Sequence, residues 1–271
     1  LYYALSGEED LTRYIYTGEE KPNLTSGKDT LLPKGKTSVT KLESFYRCPY
    51  SYFLSNGLKL KDRETGELKV VDTGTILHDV LEKFVKLHLI ENAEKLTAAQ
   101  INGIAKDLTE NCLKQQEYAR LAKDPKLAFT LQRLKKEAQS VCNAVYEQAS
   151  NSYFKPVLAE LPFGFDGDSA PPLKITANGN EILLNGKIDR IDAYGDKFIL
   201  IDYKTGKAKF DETQLYAGQK LQLLTYVKVA QEHLGKNCVG FFYMPVHDKF
   251  GKDENDRYFF VGRVLDDGQT V

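Results

Sequence analysis

Hydrophobic spacing divides this chain into two regions. Between about Thr40 and Ala149 the apolar residues recur every three or four positions, which is typical of amphipathic helices. From Val157 onward they alternate with polar residues or form short apolar runs, which is typical of strands. The pattern therefore predicts a helical region followed by a β-rich region.

The helical region contains recognisable helix starts. Thr40 and Glu43 have the spacing of a capping box, in which the Glu43 side chain would reach back to the Thr40 backbone. The helix that they open would run to about Leu54 and end at Gly57. Further helices are expected from Gly74-Thr75 onward, over residues 97–121 and 126–149, and in a short stretch at Glu8–Tyr16.

The β-rich region is punctuated by turn signals, namely Asn178-Gly179 and Gly195-Asp196. A single helix at Glu212–Leu234 would separate the first strands from the last pair. The predicted strands are Val157–Phe163, Leu173–Ala177, Ile182–Tyr194, Lys197–Tyr203, Cys238–Pro245 and Arg257–Leu265.

This order of elements predicts an α+β fold, with a mixed central sheet, flanking helices and a large helical insertion. Residues 1–37 are polar and rich in turn formers, so we expect an extension or linker there. Residues 38–271 are expected to form one domain, with a helical part at 38–151 and a catalytic β-core at 152–271. Because the first residue is Leu1 rather than Met, we expect a piece of a longer polypeptide.

Composition narrows the classes of function without identifying one. The chain has 271 residues, of which 42% are hydrophobic and 28% charged, as in an ordinary globular protein. A net charge of −1 means that any nucleic-acid-binding surface must be a local basic patch. No apolar run approaches the ~18 residues of a membrane span, so no membrane association is expected.

The cysteines predict reduced thiols rather than a zinc site. All four lie far apart in the sequence, and no Cys-x-x-Cys pair is present. Unpaired thiols are typical of cytoplasmic proteins, and we expect them here at Cys112, Cys142 and Cys238.

Candidate chemistry is concentrated in the predicted hairpin between Gly186 and Gly206. If Gly195-Asp196 forms a two-residue turn, Asp189 lies directly opposite Asp202, with Cβ atoms ~4.5–5.5 Å apart on one face of the sheet. Lys204 lies two residues beyond Asp202 and projects from the same face. The apolar run before Asp202 makes this a core strand, where an unpaired charge is costly.

Two opposed carboxylates and a lysine suit metal-dependent hydrolysis. A divalent cation removes the repulsion between the acids, and Mg²⁺ prefers carboxylate oxygens. Such an ion also activates water and polarises phosphate, while Lys204 could orient the water or offset developing charge. The alternative is a surface hairpin whose acids pair with Lys187, Arg190 and Lys204, and these residues alone leave both interpretations open.

The sequences GKIDRID at 186–192 and ILIDYKTGK at 199–207 resemble the nuclease domain shared by RecB and the AddA and AddB helicase–nuclease proteins, which is of the PD-(D/E)xK type. The resemblance implies a restriction-endonuclease-like α/β core and a metal-dependent deoxyribonuclease. It assigns catalysis to Asp189, Asp202 and Lys204, with Mg²⁺ or Mn²⁺ as the cofactor on the two aspartates.

Other motifs occur in the order expected for that family. Residues 74–78 match a Gly-x-x-x-His segment, which implies that His78 is a further metal ligand. Gln222 and Tyr226 match a Gln-x-x-x-Tyr helix, and Glu160 matches an acid on the strand before the hairpin, which implies supporting roles. Each also has a plainer interpretation: a packed histidine, a half-buried polar pair on one helix face, and an acid that caps or pairs at an edge.

The segment 38–50 resembles the first helix of AddB-type nuclease domains, in which the cysteine is one of four iron–sulfur ligands. Such a cluster requires four thiolates, and no cysteine follows Cys238 here. We therefore expect an iron–sulfur cluster at Cys48 only in a longer parent protein, and a small buried apolar side chain in this chain. Three neighbouring side chains could contact a DNA strand by charge and stacking: Arg47, Tyr50 and Tyr52.

Residues 240–248 also resemble AddB more than RecB. The leading prediction is a Mg²⁺-dependent DNA exonuclease domain, within an AddAB- or RecBCD-like helicase–nuclease that processes double-strand breaks. The expected partners are DNA, as a single strand at processed ends, and an AddA-like helicase–nuclease protein, in the bacterial cytoplasm. The competing hypotheses are a nuclease-like scaffold that binds without cutting, and a different metal-dependent hydrolase on the same fold.

Overall fold

The computed structural model describes most of the chain from Gly35 onward. The predicted helix at Glu8–Tyr16 and the predicted extension as far as Lys34 lie outside the described residues. The described residues are 35–60, 70–93, 95–115, 118, 125–165, 167, 170–177, 180–206, 209–246, 258 and 260–264.

A mixed sheet forms the centre of the described structure. Its strand order is β1-β4-β5-β6-β7, and β2 and β3 also pair with β4. β1 runs parallel to β4 and β5 parallel to β6, whereas the other pairs are antiparallel. The strands are β1 (Gly35–Ser38), β2 (Lys155–Phe163), β3 (Leu173–Ala177), β4 (Asn180–Tyr194), β5 (Lys197–Lys204), β6 (Asn237–Pro245) and β7 (Val261–Val264).

The strand predictions are confirmed apart from shifts at their ends, and one strand was missed. The four residues of β1 are too few to show a periodicity, and they form a strand because they pair with Ile182–Asn185 of β4. The predicted strand Arg257–Leu265 is shorter, at Val261–Val264. The predicted α+β class, with its mixed sheet and flanking helices, is the fold observed.

Helices cover both faces of the sheet. Two of them continue into π-helical turns, at Phe53–Gly57 and Val85–Glu91. No helix in the described part of the chain is long and apolar enough to cross a membrane. The helices are α1 (Val39–Arg47), α2 (Pro49–Tyr52), α3 (Val70–Phe84), α4 (Ala98–Leu113), α5 (Ala128–Asn151), α6 (Glu212–Tyr216) and α7 (Gln222–Leu234).

Two hydrophobic cores lie on opposite sides of the sheet. The first packs α3, α4 and α5 against the odd-numbered residues of β5, such as Ile201 and Tyr203. The second packs α1 and α7 against the even-numbered residues, such as Phe198 and Leu200. Since side chains alternate along a strand, Asp202 and Lys204 share the α7 side of β5.

The predicted capping box at Thr40 is wrong. Ser38 is the N-cap of α1, and its hydroxyl accepts a hydrogen bond from the Lys41 backbone at 3.3 Å. The Glu43 side chain instead bonds to a different helix, α7. The helix also ends earlier than predicted, because Cys48 leaves the helical conformation (φ −160°, ψ 100°) and Pro49 begins α2.

Three other helix boundaries differ from the predictions. The helix expected at Gly74 already begins at Val70. The helix expected over 97–121 begins as predicted, with a capping box between Thr97 and Gln100, but ends at Leu113. The single helix expected at Glu212–Leu234 is two helices, because Gly218 adopts a φ of +72° between them.

A fully buried ion pair joins β4 to α5. Arg190 and Asp192 are both 0% exposed, and Arg190 donates to both carboxylate oxygens, at 2.6 and 2.5 Å. Arg190 Nη2 also donates to Gln148 Oε1 of α5 at 2.7 Å. The two parallel bonds offset the large cost of desolvating both charges. The pair therefore ties α5 to the strand that carries Asp189.

Replacing Arg190 with Met is expected to lower the free energy of unfolding by about 3–5 kcal/mol, because the Asp192 carboxylate stays buried without its partner. Urea unfolding followed by circular dichroism measures this change. A double variant, Arg190→Met with Asp192→Leu, should recover most of the loss. An Arg190→Met protein as stable as the wild type would contradict this account.

Candidate active site

β4 and β5 form the hairpin predicted around Gly195-Asp196. The ladder runs from Tyr194↔Lys197 to Arg190↔Ile201, which is the register that aligns Asp189 with Asp202. The predicted register is confirmed, but the ladder ends one pair before the two acids. At that level the Tyr203 backbone N–H donates to Asp189 Oδ2 at 2.7 Å, so a carboxylate takes the place of a backbone acceptor.

The regular alternation of β4 is interrupted next to Asp189. Ile188 and Ile191 both pack in the second core although they are three residues apart, which a regular pleat does not allow. On the neighbouring strand β2, Glu160 stands at the level of Asp189 and has a φ of 55°. A positive φ is rare outside glycine and recurs at functional sites. Asp189 and Glu160 therefore share an irregular level of the sheet.

Asp202 is a buried carboxylate that is short of partners. It is 1% exposed, and burial, together with the charge of Asp189, raises its pKa to about 7. Lys204 Nζ lies 2.6 Å from Asp202 Oδ2. That oxygen nevertheless receives no well-directed hydrogen bond from the described residues. The environment therefore disfavours the charged form of Asp202 unless more positive charge is supplied.

Gln222 connects Lys204 with Asp202. Its Oε1 accepts a hydrogen bond from Lys204 Nζ at 2.7 Å, and its Nε2 donates to Asp202 Oδ1 at 2.9 Å. Nε2 also donates to the Tyr226 hydroxyl at 3.1 Å. The Lys204 ammonium lies 5.1 Å from the ring centroid of Tyr243, within cation–π range. The amide therefore holds the ammonium beside the carboxylate.

His78 reaches the same acids from α3, on the other side of the sheet. Its Nδ1 lies 3.6 Å from Asp189 Oδ2, and its ring meets the Tyr203 ring edge to face. Burial lowers the pKa of His78, but the neighbouring Asp189 carboxylate outweighs burial, so the pKa lies above its usual value. His78 therefore interacts mainly with the Asp189 charge.

Gly74 explains how α3 comes so close to β5. A Cβ atom at Gly74 would lie 2.5 Å from Cγ2 of Thr205, the residue after Lys204. Only glycine leaves room for that approach without a shift of the neighbouring chain.

Glu160 lies beside this cluster. It forms an ion pair with Lys187, and with His78 it lines a cleft of about 300 Å³. Two of the three basic residues of the surface-hairpin interpretation are thus bound elsewhere, Lys187 to Glu160 and Arg190 to Asp192. Lys204 pairs with Asp202 as that interpretation expected, but the pair is not on the surface.

The donor set is that of a hard divalent cation: two carboxylates, one with a buried oxygen that lacks a hydrogen bond, and an imidazole. Across the described residues, no three His, Cys, Asp or Glu side chains are gathered into a ready-made metal site. The metal ligands Asp189, Asp202 and His78 therefore stay a prediction.

The D-x-K sequence of Asp202 and Lys204, aligned with Asp189 on the adjacent strand, has a counterpart among known proteins. The sequence model of the PD-(D/E)XK nuclease superfamily matches residues 36–266. The chain belongs to this superfamily. The matched range includes β1, both cores and every residue of the cluster.

Three similar proteins are named as the B-type component of an ATP-dependent helicase/deoxyribonuclease. The one from Pediococcus pentosaceus is 36% identical over 227 residues, which are 80% of this chain and 19% of that protein. Those from Bacillus licheniformis and Enterococcus faecalis are 33% and 31% identical, over 86% and 85% of this chain and 22% and 21% of their own lengths. The chain spans about a fifth of the length of these relatives.

The predictions around Cys48 need correction. Cys48 is exposed rather than buried, because its thiol acts as the N-cap of α2, with Sγ 3.5 Å from the Ser51 backbone nitrogen. Tyr52 is only 5% exposed and packs in the protein, so its ring is not available to stack on DNA. Arg47 and Tyr50 are exposed. All four cysteines are free thiols, as predicted.

Sequence reasoning missed residues that shape the site without belonging to its motifs. The contact of Gly74 with Thr205 and the ring of Tyr243 under Lys204 were not foreseen. The sequence pattern also assigns Glu43 to a local cap. The signal that could have corrected this is Leu221, which precedes α7 and has no side chain able to cap it.

The Gly74–Thr205 contact predicts a strong dependence on side-chain size. In the Gly74→Ala variant, overpacking against Thr205 should cost about 1–3 kcal/mol, more than the ~1 kcal/mol that alanine gains over glycine in a helix. Adding Thr205→Ser removes the clashing methyl group and should recover most of the loss. A urea double-mutant cycle measures the coupling, and additive effects would contradict the contact.

Proposed function

We propose that this chain is a deoxyribonuclease domain that hydrolyses phosphodiester bonds with a bound divalent cation. The observation that carries the proposal is the buried Asp202 carboxylate, aligned with Asp189 and held beside Lys204 by Gln222. A scaffold without catalytic activity gains nothing from two neighbouring acids at the centre of a sheet, because their mutual repulsion costs stability.

Asp189 and Asp202 are the proposed metal ligands, with His78 as a third, and the proposed ion is Mg²⁺ or Mn²⁺. The buried Asp202 oxygen without a hydrogen bond and the raised pKa of Asp202 support a missing positive charge at this position. When bound, a divalent ion polarises the scissile phosphate and favours deprotonation of the attacking water.

Lys204 is the proposed general catalyst among the side chains. Its ammonium, held by Gln222 Oε1, can orient the attacking water and stabilise the negative charge that develops on the phosphate. Tyr226 supports Gln222 from the next turn of α7. Glu160, on the irregular level of β2, is proposed to support the site from the cleft that it shares with His78.

The proposed biological role is that of an exonuclease within a helicase–nuclease that processes DNA double-strand breaks in the bacterial cytoplasm. The name of the relatives, the B-type component of an ATP-dependent helicase/deoxyribonuclease, supports DNA as substrate and an AddA-like protein as partner. A single strand at a processed end is the proposed substrate.

A cleavage assay tests the proposal directly. End-labelled single- and double-stranded DNA are incubated with the chain, with and without Mg²⁺, and with and without an AddA-like helicase. Release of short labelled products only with Mg²⁺ is expected. DNA binding without cleavage under every condition would favour the nuclease-like scaffold instead.

Replacing Asp202 or Lys204 with Ala is expected to abolish DNA cleavage while the fold persists, because both groups act on the reacting phosphate rather than on the core. Asp196→Ala, in the exposed turn of the same hairpin, is the matched control and should cleave at the wild-type rate. Cleavage by Asp202→Ala at the wild-type rate would remove the assignment.

Binding of the metal predicts a stability change that requires no DNA. Mg²⁺ or Mn²⁺ should raise the unfolding temperature of the wild type, by the equivalent of ~2.7 kcal/mol at a hundredfold excess over Kd. The Asp202→Asn variant should show no such rise, since one ligand charge is lost. An equal rise in both proteins, measured by differential scanning fluorimetry, would place the ion elsewhere.

A further inference from the structure

The helix that carries Gln222 is capped from outside. Leu221 is the N-cap of α7 and makes no side-chain capping bond, so the first N–H groups of the helix need another acceptor. The Glu43 carboxylate supplies it. Glu43 Oε1 accepts from the backbone nitrogens of Leu221 at 2.6 Å and Gln222 at 2.8 Å. A negative charge at a helix N-terminus is favourable.

These bonds lead directly to the proposed active site. Glu43 fixes the backbone of Gln222, and the Gln222 side chain in turn holds Lys204 and Asp202. Glu43 is itself only 8% exposed on α1, so the contact is shielded from water. A shift at the start of α7 would therefore move the amide that orients the ammonium.

A second contact from α1 restrains the segment before α7. A Cβ atom at Gly218 would lie 2.9 Å from the ring of Tyr46, so the ring packs directly on the Gly218 backbone. Tyr46 is one turn after Glu43 on α1. Glu43 and Tyr46 thus hold the segment 218–222 at both ends.

We propose that Glu43 is a positioning residue for the nuclease reaction: its carboxylate sets the start of α7, so that Gln222 keeps Lys204 beside Asp202. The inference rests on the proposed function, because it concerns the same site. It goes beyond that function by making α1, which carries no catalytic group, necessary for turnover.

The test compares Glu43→Ala, Glu43→Gln and Glu137→Ala in the complete 271-residue chain. Glu137 is the matched control, since it is also 8% exposed and pairs with Arg133 within α5, outside the proposed site. Glu43→Ala should lower kcat for DNA cleavage about 10- to 100-fold with little change in KM. Glu43→Gln keeps an acceptor oxygen and should restore most of kcat, whereas Glu137→Ala should cost stability without a matching loss of kcat.

A structural readout separates this proposal from the proposed function. In the wild type the Gln222 side-chain amide protons should be protected from exchange by Asp202 and Tyr226, as measured by NMR. Protection should be lost in Glu43→Ala and kept in Glu43→Gln, whether or not the chain cleaves DNA. A wild type that never cleaves would refute the nuclease assignment alone.

Two results would overturn the positioning role: unchanged protection of the Gln222 amide in Glu43→Ala, or a loss of kcat no greater than in Glu137→Ala. If Glu43→Ala does not fold, Glu43→Asp takes its place. Its carboxylate is shorter by one methylene group and cannot reach both backbone nitrogens. A folded Glu43→Asp protein with wild-type kcat and protection would equally overturn the proposal.

Discussion

The buried carboxylate of Asp202 beside Asp189 is the constraint around which the rest of the structure is organised. Two acids at the centre of a sheet repel each other and lose hydration, and burial without compensation costs several kcal/mol. The structure offsets this with the Lys204 ammonium and the Gln222 amide on Asp202, and with a backbone N–H on Asp189. The compensation is incomplete, because one Asp202 oxygen lacks a hydrogen bond from the described residues. A folded protein keeps such a defect where function requires it.

The two faces of the sheet contribute different parts to this cluster. From one face, α3 brings His78 to Asp189 and is admitted by the missing side chain at Gly74. From the other, α7 brings Gln222 to Asp202 and Lys204 and is held by Glu43. The buried ion pair below the sheet fixes α5 to β4. The site is thus set by packing between distant elements as much as by the hairpin itself.

The sequence predicted the local features well and the distant ones poorly. Alternation and a two-residue turn determined the hairpin register, so the placement of Asp202 and Lys204 followed from a few neighbouring residues. The prediction for Glu43 is wrong because a capping box is a local pattern, whereas its partners Leu221 and Gln222 are 178 and 179 residues away. The break at Gly218 and the exposure of Cys48 likewise depend on what packs against them, which periodicity does not encode.

The central claim is that Asp189 and Asp202 together hold a divalent ion, and anomalous diffraction from Mn²⁺-soaked crystals of the chain tests it most directly. The account predicts an anomalous peak within coordination distance of both carboxylates, with the His78 imidazole as a further ligand. Saturating Mn²⁺ with no peak between these carboxylates, and with Lys204 still paired to Asp202 as it is now, would contradict it.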